Sequence, residues 1–316
     1  MAYTADVKSE LMQSPVLKDC CAGAELTALL LLSGSISLCG LGRYRLTFGS
    51  ENAAVVRYCF TQLKRAFALA PEIRAVRSNQ RGEHIRYQLQ LEGEEAAGLL
   101  DRLGLLDPKQ LLGIRMRPGR AILSRECCRK AYLRGAFLAC GWISQPEKAY
   151  HFEFAAPDEE QAKTLQELIA RWDVQARISA RKSQQIVYVK KSEDVETLLG
   201  VLGASSALLT FENVRIMKSL RNDLNRQMIC DDFNTDKTVR AAAQQLDDIA
   251  VIEKYLGLGK LPASLRQAAE ARIASPDATL SQLGELMDPP AAKSAVNKRI
   301  RRLGELAQKL RDEHGL

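Results

Sequence analysis

The chain has 316 residues, 46% of them hydrophobic, which is long enough and apolar enough for two cores. Its net charge is +7, and the positive excess is concentrated: residues 115–134 and residues 293–311 each hold seven Lys or Arg against one acid. No run of about 18 uncharged apolar residues occurs, which argues against a membrane span, and the mixed-charge start "MAYTADVKSELMQS" does not read as a signal peptide, so a cytoplasmic location is expected.

The first long element expected is a helix ending at Gly34. Its stretch "LTALLLL" (26–32) is apolar on most sides, so the helix must be buried all round. Two short strands follow. The clearer one alternates Tyr44, Leu46 and Phe48 against Arg43, Arg45 and Thr47. An amphipathic helix is expected near 51–69, strands near 72–77 and 84–91, and a short helix near 93–103. A basic linker spans 105–123.

The same order then recurs. Cys20-Cys21 and Cys127-Cys128 lie 107 positions apart, and at that offset Gly34 maps to Gly141 and Ile36 to Ile143. "YRLTF" answers "YHFEF", and "LLDRLG" answers "LLGVLG". The unit is αββαββα, present twice: an α+β domain over 1–211 with repeats at about 1–104 and 124–203. Ala28 and Gly135 are small residues in the two lead helices, placed to let these helices meet backbone to backbone.

Alternation sets Arg43 and Arg45, with His84, Arg86, Gln88 and Gln90, on the polar face of the first sheet. Tyr44, Leu46, Phe48, Ile85, Tyr87 and Leu89 face the helices. In the second sheet Glu153 stands where the first has Thr47, and Lys190 and Lys191 sit at a strand end. The first sheet is therefore the expected surface for a polyanion's phosphates, and a solvated face is its plain alternative.

Eight cysteines and three histidines are present. No CxxC pair occurs, and adjacent cysteines make poor disulfides. Reduced, buried thiols are expected, with no metal and no cofactor.

After Phe211, residues 212–235 read as a polar helical connector. A helical DNA-binding domain fills 236–316, beginning with a helix over 236–256 whose stripe is Val239, Ala243, Leu246, Ile249, Ile252 and Leu256. A third helix spans 263–274. A helix-turn-helix is expected at about 279–312. Thr279 caps its first helix with Gln282 as capping-box partner, "DPP" stops it, and a second helix starts near Ala292 to Ser294. Val296, Ile300, Leu303, Ala307 and Leu310 form the buried face of that helix. Lys293, Ser294, Asn297, Lys298, Arg301 and Arg302 form the exposed one, with groups able to read base edges and hold phosphates.

The paired lead helices resemble the LAGLIDADG homing-endonuclease fold. Setting Gly141 on the last glycine of that motif puts Leu133 and Gly135 on its leading Leu and Gly. In the first half Gly34, Leu26 and Ala28 take these places. The resemblance implies a metal-binding acid just before each final glycine, but here those positions are Ser33 and Cys140. Neither supplies an anionic oxygen for a hard cation, so loss of the nuclease chemistry is expected. The rival reading, an active homing endonuclease, needs an acid at one of them.

A degenerate LAGLIDADG domain followed by a helix-turn-helix resembles the WhiA family of bacterial DNA-binding regulators. "CCAGAELTALL", "CCRKAYLRGAFLACGWI", "NRQMICDDFNTDK" and "LGELMDPPAAKSAVNKRIRRL" carry the resemblance. It implies sequence-specific binding of double-stranded DNA without catalysis, at the nucleoid, in cell division, chromosome segregation or sporulation. The chain departs from the family at Trp142, where a smaller residue is usual. The alternative is a nuclease-like scaffold that docks a protein, such as a sigma factor or division protein, while the helix-turn-helix alone holds DNA.

Overall fold

A computed structural model describes residues 2–40, 43–78, 84–107, 109 and 113–315. After a short helix α1 (Ala2–Gln13), the order α2 (Asp19–Ser33), β1 (Ser35–Leu38), β2 (Tyr44–Ser50), α3 (Ala53–Phe67), β3 (Glu72–Ser78), β4 (His84–Glu92), α4 (Gly93–Arg102) forms the first repeat. The second runs α5 (Glu126–Cys140), β5 (Gly141–Ile143), β6 (Phe152–Ala156), α6 (Glu159–Ile169), β7 (Arg177–Arg181), β8 (Gln184–Val189), α7 (Ser192–Leu202). Each repeat folds one four-stranded antiparallel sheet, in the orders β1-β2-β4-β3 and β5-β6-β8-β7. The fold is therefore the duplicated α+β unit expected, followed by helices.

The central helices α2 and α5 pack on each other. Every residue from Cys21 to Leu32 is buried, as an all-round apolar helix requires. Gly135 makes the crossing possible, because a Cβ there would strike the Glu25 carbonyl. An ion pair lies buried in the core. Arg134 Nε donates to Glu25 Oε1 at 3.0 Å, Tyr58 donates to Oε2 at 2.8 Å, and Arg134 also donates to the Leu11 and Ser14 carbonyls. Burial pushes the Glu25 carboxyl up to about 7 against the opposing pull of Arg134.

The pairing also brings together residues that are far apart in the sequence. The cysteine doublets looked unsuited to a metal because no CxxC pair occurs. The crossing of α2 and α5 brings Cys20, Cys21, Cys127 and Cys128 together, with all four sulfurs within 4.8 Å of one another. Local spacing is blind to ligands supplied in pairs by two helices.

Three expectations change. Residues 205–255 form one helix, α8 (Ser205–Tyr255), not a connector and a separate helix. No glycine or proline lies between Gly203 and Gly257, so nothing breaks it. Within it Val239 and Ala243 are exposed and Ala242 is buried, and Ile216, Leu220, Leu224, Met228 and Phe233 also face solvent. Ile85 is 42% exposed, whereas Leu46, Phe48 and Leu89 are buried as expected. Among the described residues, no helix is long and apolar enough to cross a membrane.

Contacts divide the chain into units Met1–Lys218 and Ser219–Leu316. The second unit contains the end of α8, α9 (Ala263–Ala274), α10 (Leu280–Glu285) and α11 (Lys293–His314). Its core joins Ile249, Ile252, Leu261, Ala268, Leu283, Met287 and the inward face of α11.

Candidate nucleic-acid interface

The helix-turn-helix is built from its caps. Thr279 Oγ1 accepts from Gln282 N, and Gln282 Oε1 accepts from Thr279 N at 2.8 Å, closing the capping box. Gly284, which the sequence reading passed over, sits where a Cβ would strike the Ala291 carbonyl. A glycine in the first helix of a tight helix pair is the signal that could have found it.

Val296, Ile300, Leu303, Ala307 and Leu310 are buried, which fixes the rotation of α11. Lys293, Ser294, Asn297, Lys298, Arg301 and Arg302 are consequently all exposed. Asn297 and Arg301 lie one turn apart on the same face. Arg301 Nε donates to Glu305 at 3.1 Å on the open surface. Such an exposed pair is worth little, so the guanidinium can be given up to a stronger acceptor. At the far end Arg311 clamps α11 to α8 through Asp248 at 2.8 Å and Asp247 at 2.7 Å. One arginine of the basic run 293–311 is thus structural.

The first sheet is less basic than its sequence suggests. Arg43 is exposed just before β2. Arg45 Nε donates to Glu92 at 2.6 Å, and Arg74 donates to Glu72 at 2.7 Å. Arg86 turns along the sheet over Gly49 and donates from Nη2 to the Ser33 carbonyl at 2.8 Å. The side chain of His84 lies outside the described residues. The sequence reading missed Glu92 because it meets Arg45 across two strands and so depends on register, whereas Glu72 pairs with Arg74 two positions along the same face of β3.

In the second sheet the Glu153 carboxylate is turned inward and paired. It is 7% exposed, accepts from Arg181 Nη2 at 2.7 Å, and pairs with His151 Nε2 at 2.8 Å. His151 stacks on Tyr188 and meets Trp142 edge-on, so aromatic groups cover the carboxylate. Lys190 and Lys191 are exposed at the strand end.

The basic run 115–134 is also largely spoken for. Arg134 is buried on Glu25, Arg115 pairs with Asp107 at 2.7 Å, Lys130 pairs with Glu126 at 2.9 Å, and Arg129 donates to the Leu123 and Ser124 carbonyls.

The degenerate motif positions lie at the ends of the central helices. Ser33 closes α2 and Cys140 closes α5, with Gly34 and Gly141 as the next residues. Ser33 Oγ donates to the Leu29 carbonyl at 2.9 Å, and Cys140 Sγ to the Ala136 carbonyl at 3.4 Å. Burial pushes the Cys140 thiol up to about 12, so it stays neutral. Each helix end holds a protein cation on a carbonyl: Arg86 on Ser33, and Lys8 Nζ on Leu138 at 3.1 Å. Positive charge at a helix C-terminus complements the dipole.

Family models agree with this layout. One described as the WhiA N-terminal LAGLIDADG-like domain matches residues 19–106, the WhiA LAGLIDADG-like domain matches 129–221, and the WhiA C-terminal HTH domain matches 224–307. The chain is 38% identical to a probable cell division protein WhiA of Heliobacterium modesticaldum, over 100% of this chain and 99% of the relative. It is 40% identical to that of Desulforamulus reducens, over 98% of this chain and 97% of the relative. The fold is similar to full-length DUF199/WhiA from Thermatoga maritima, with TM-score 0.56 and 19% identity over 96% of each chain.

Proposed function

Because the chain belongs to the WhiA family, we propose that it is a non-catalytic, sequence-specific DNA-binding regulator of cell division, chromosome segregation or sporulation, working at the nucleoid. The observation that carries this reading is the outer face of α11. A core of five apolar residues holds that helix by one side and leaves Asn297 and Arg301 presented together on the other. Asn can pair bidentately with adenine and Arg with guanine in a major groove wide enough for a helix. Lys293, Ser294, Lys298 and Arg302 flank them and suit phosphate oxygens.

The ends of α2 and α5 support the non-catalytic part. Metal-assisted phosphodiester cleavage needs anionic oxygens around a hard cation. A hydroxyl, a neutral thiol, a guanidinium and an ammonium are gathered there instead. The aromatic cover over Glu153 favours a protein partner for the second sheet, such as a sigma factor or division protein.

The test is DNA binding by the full chain, on sites recovered by chromatin immunoprecipitation, across a salt series. Asn297→Ala and Arg301→Ala should each lose roughly 1–3 kcal/mol on specific sites and far less on random DNA. Lys293→Ala should weaken both alike and lower the salt slope by about one. An unchanged specificity ratio in the Asn297 and Arg301 variants would mean that α11 is not the reader.

A further inference from the structure

The four cysteines at the start of α2 and α5 form a cluster that DNA binding does not use. We infer that Cys20, Cys21, Cys127 and Cys128 bind one zinc ion that clamps the N-terminal ends of the two central helices together. Each repeat contributes the pseudo-equivalent pair of ligands, so the site exists only when the repeats are docked.

The geometry suits a single tetrahedral ion. A Zn–S bond of about 2.3 Å sets the sulfurs of a tetrahedron about 3.8 Å apart. Within each doublet the sulfurs lie 4.0 Å apart, and no separation in the cluster exceeds 4.8 Å. Closing the widest edge requires inward movement of about 1 Å. A disulfide needs about 2.05 Å, and all four cysteines are free. Clusters of several irons carry bridging sulfide between their thiolates and need a wider cage. Four soft thiolates in a tetrahedron select zinc over hard cations.

The electrostatics suit a dianionic centre. Binding Zn²⁺ to four thiols forms four Zn–S bonds and releases four protons in all, leaving a net charge of −2 on the centre. Both doublets sit in the first turn of a 15-residue helix, and each helix N-terminus carries about half a positive charge. Arg125 adds a full charge, with Nη1 3.9 Å from Cys20 Sγ. Cys21 and Cys128 are buried while Cys20 and Cys127 are half-buried, which leaves an entry side.

Four protein ligands close the coordination shell, so the site is structural. It lies at the opposite ends of α2 and α5 from Ser33 and Cys140, about 20 Å along each helix. Fixing the helix pair there fixes how the two repeats meet.

The test uses full-length protein purified without chelator and analysed by mass spectrometry for metals. We expect about one zinc per chain, released by a mercurial thiol reagent. Cys20→Ser with Cys127→Ser should reduce bound zinc at least about tenfold, whereas Cys39→Ser with Cys230→Ser should leave it unchanged. A second measurement avoids variants that fail to fold. Wild-type protein stripped of metal and titrated with Co²⁺ should develop thiolate-to-cobalt charge-transfer bands and tetrahedral visible bands, saturating at one equivalent. Eight freely titrating thiols with no cobalt spectrum would overturn the assignment. So would an intact mass lower by two or four hydrogens, which would mean disulfides.

Discussion

At the scale of single residues the centre of the molecule rests on Glu25. Its carboxylate is fully buried between Arg134 and Tyr58, so the pair carries a desolvation cost that its attraction only partly returns. Removing one partner is still worse than keeping both. Glu25→Ala should cost about 3–5 kcal/mol in urea unfolding at neutral pH, because Arg134 is left charged and buried. The titration gives a second expectation. The folded pKa of about 7 lies above the ordinary 4.5, so the folded chain binds this proton more tightly. The resulting stability is fully present below about pH 4.5 and is lost as pH rises through about 7. Glu25→Gln should flatten stability against pH across that window. An identical slope in wild type and variant would show that Glu25 does not titrate there.

At the scale of elements the two sheets differ in kind. The first has Arg43 open at the start of β2, but Arg45 and Arg74 are tied to Glu92 and Glu72. The second hides Glu153 under Arg181 and His151. The exposed pairs of the first sheet are weak and can exchange a carboxylate for a phosphate. We therefore expect Arg43→Ala with Arg45→Ala to lower the salt slope of DNA binding by one to two, at about 0.9 per lost phosphate contact. Lys190→Ala with Lys191→Ala should change it less. No change from the first pair would make the first sheet a bystander to DNA and leave α11 as the contact.

At the scale of the whole molecule, a protein cation sits at the C-terminal end of each central helix. Arg86 and Lys8 each hold a carbonyl at the ends of α2 and α5, where Ser33 and Cys140 supply no charge. Full-length protein incubated with its target DNA and Mg²⁺ or Mn²⁺ should give no cleavage above a mock preparation. Turnover that disappears in an Arg86→Ala or Lys8→Ala variant would show that these cations serve catalysis instead of replacing it.

The sequence by itself determined the duplicated order of elements, the apolar central helices and the buried and exposed faces of α11. These are local: the period of apolar residues and the capping residues at Thr279 are set within a few turns of chain. The crossing point at Gly135 was legible too, as a small residue in the apolar stretch of a central helix. What only the tertiary structure decided are meetings between distant residues. Arg45 finds Glu92 across 47 positions, Arg86 reaches Ser33 across 53, and Arg134 reaches Glu25 across 109. Each depends on strand register or on how two helices cross, and neither is written in the period of one segment. The cysteine doublets show the limit most plainly. Their repetition was visible, but the four sulfurs become one cluster only where α2 and α5 pack together.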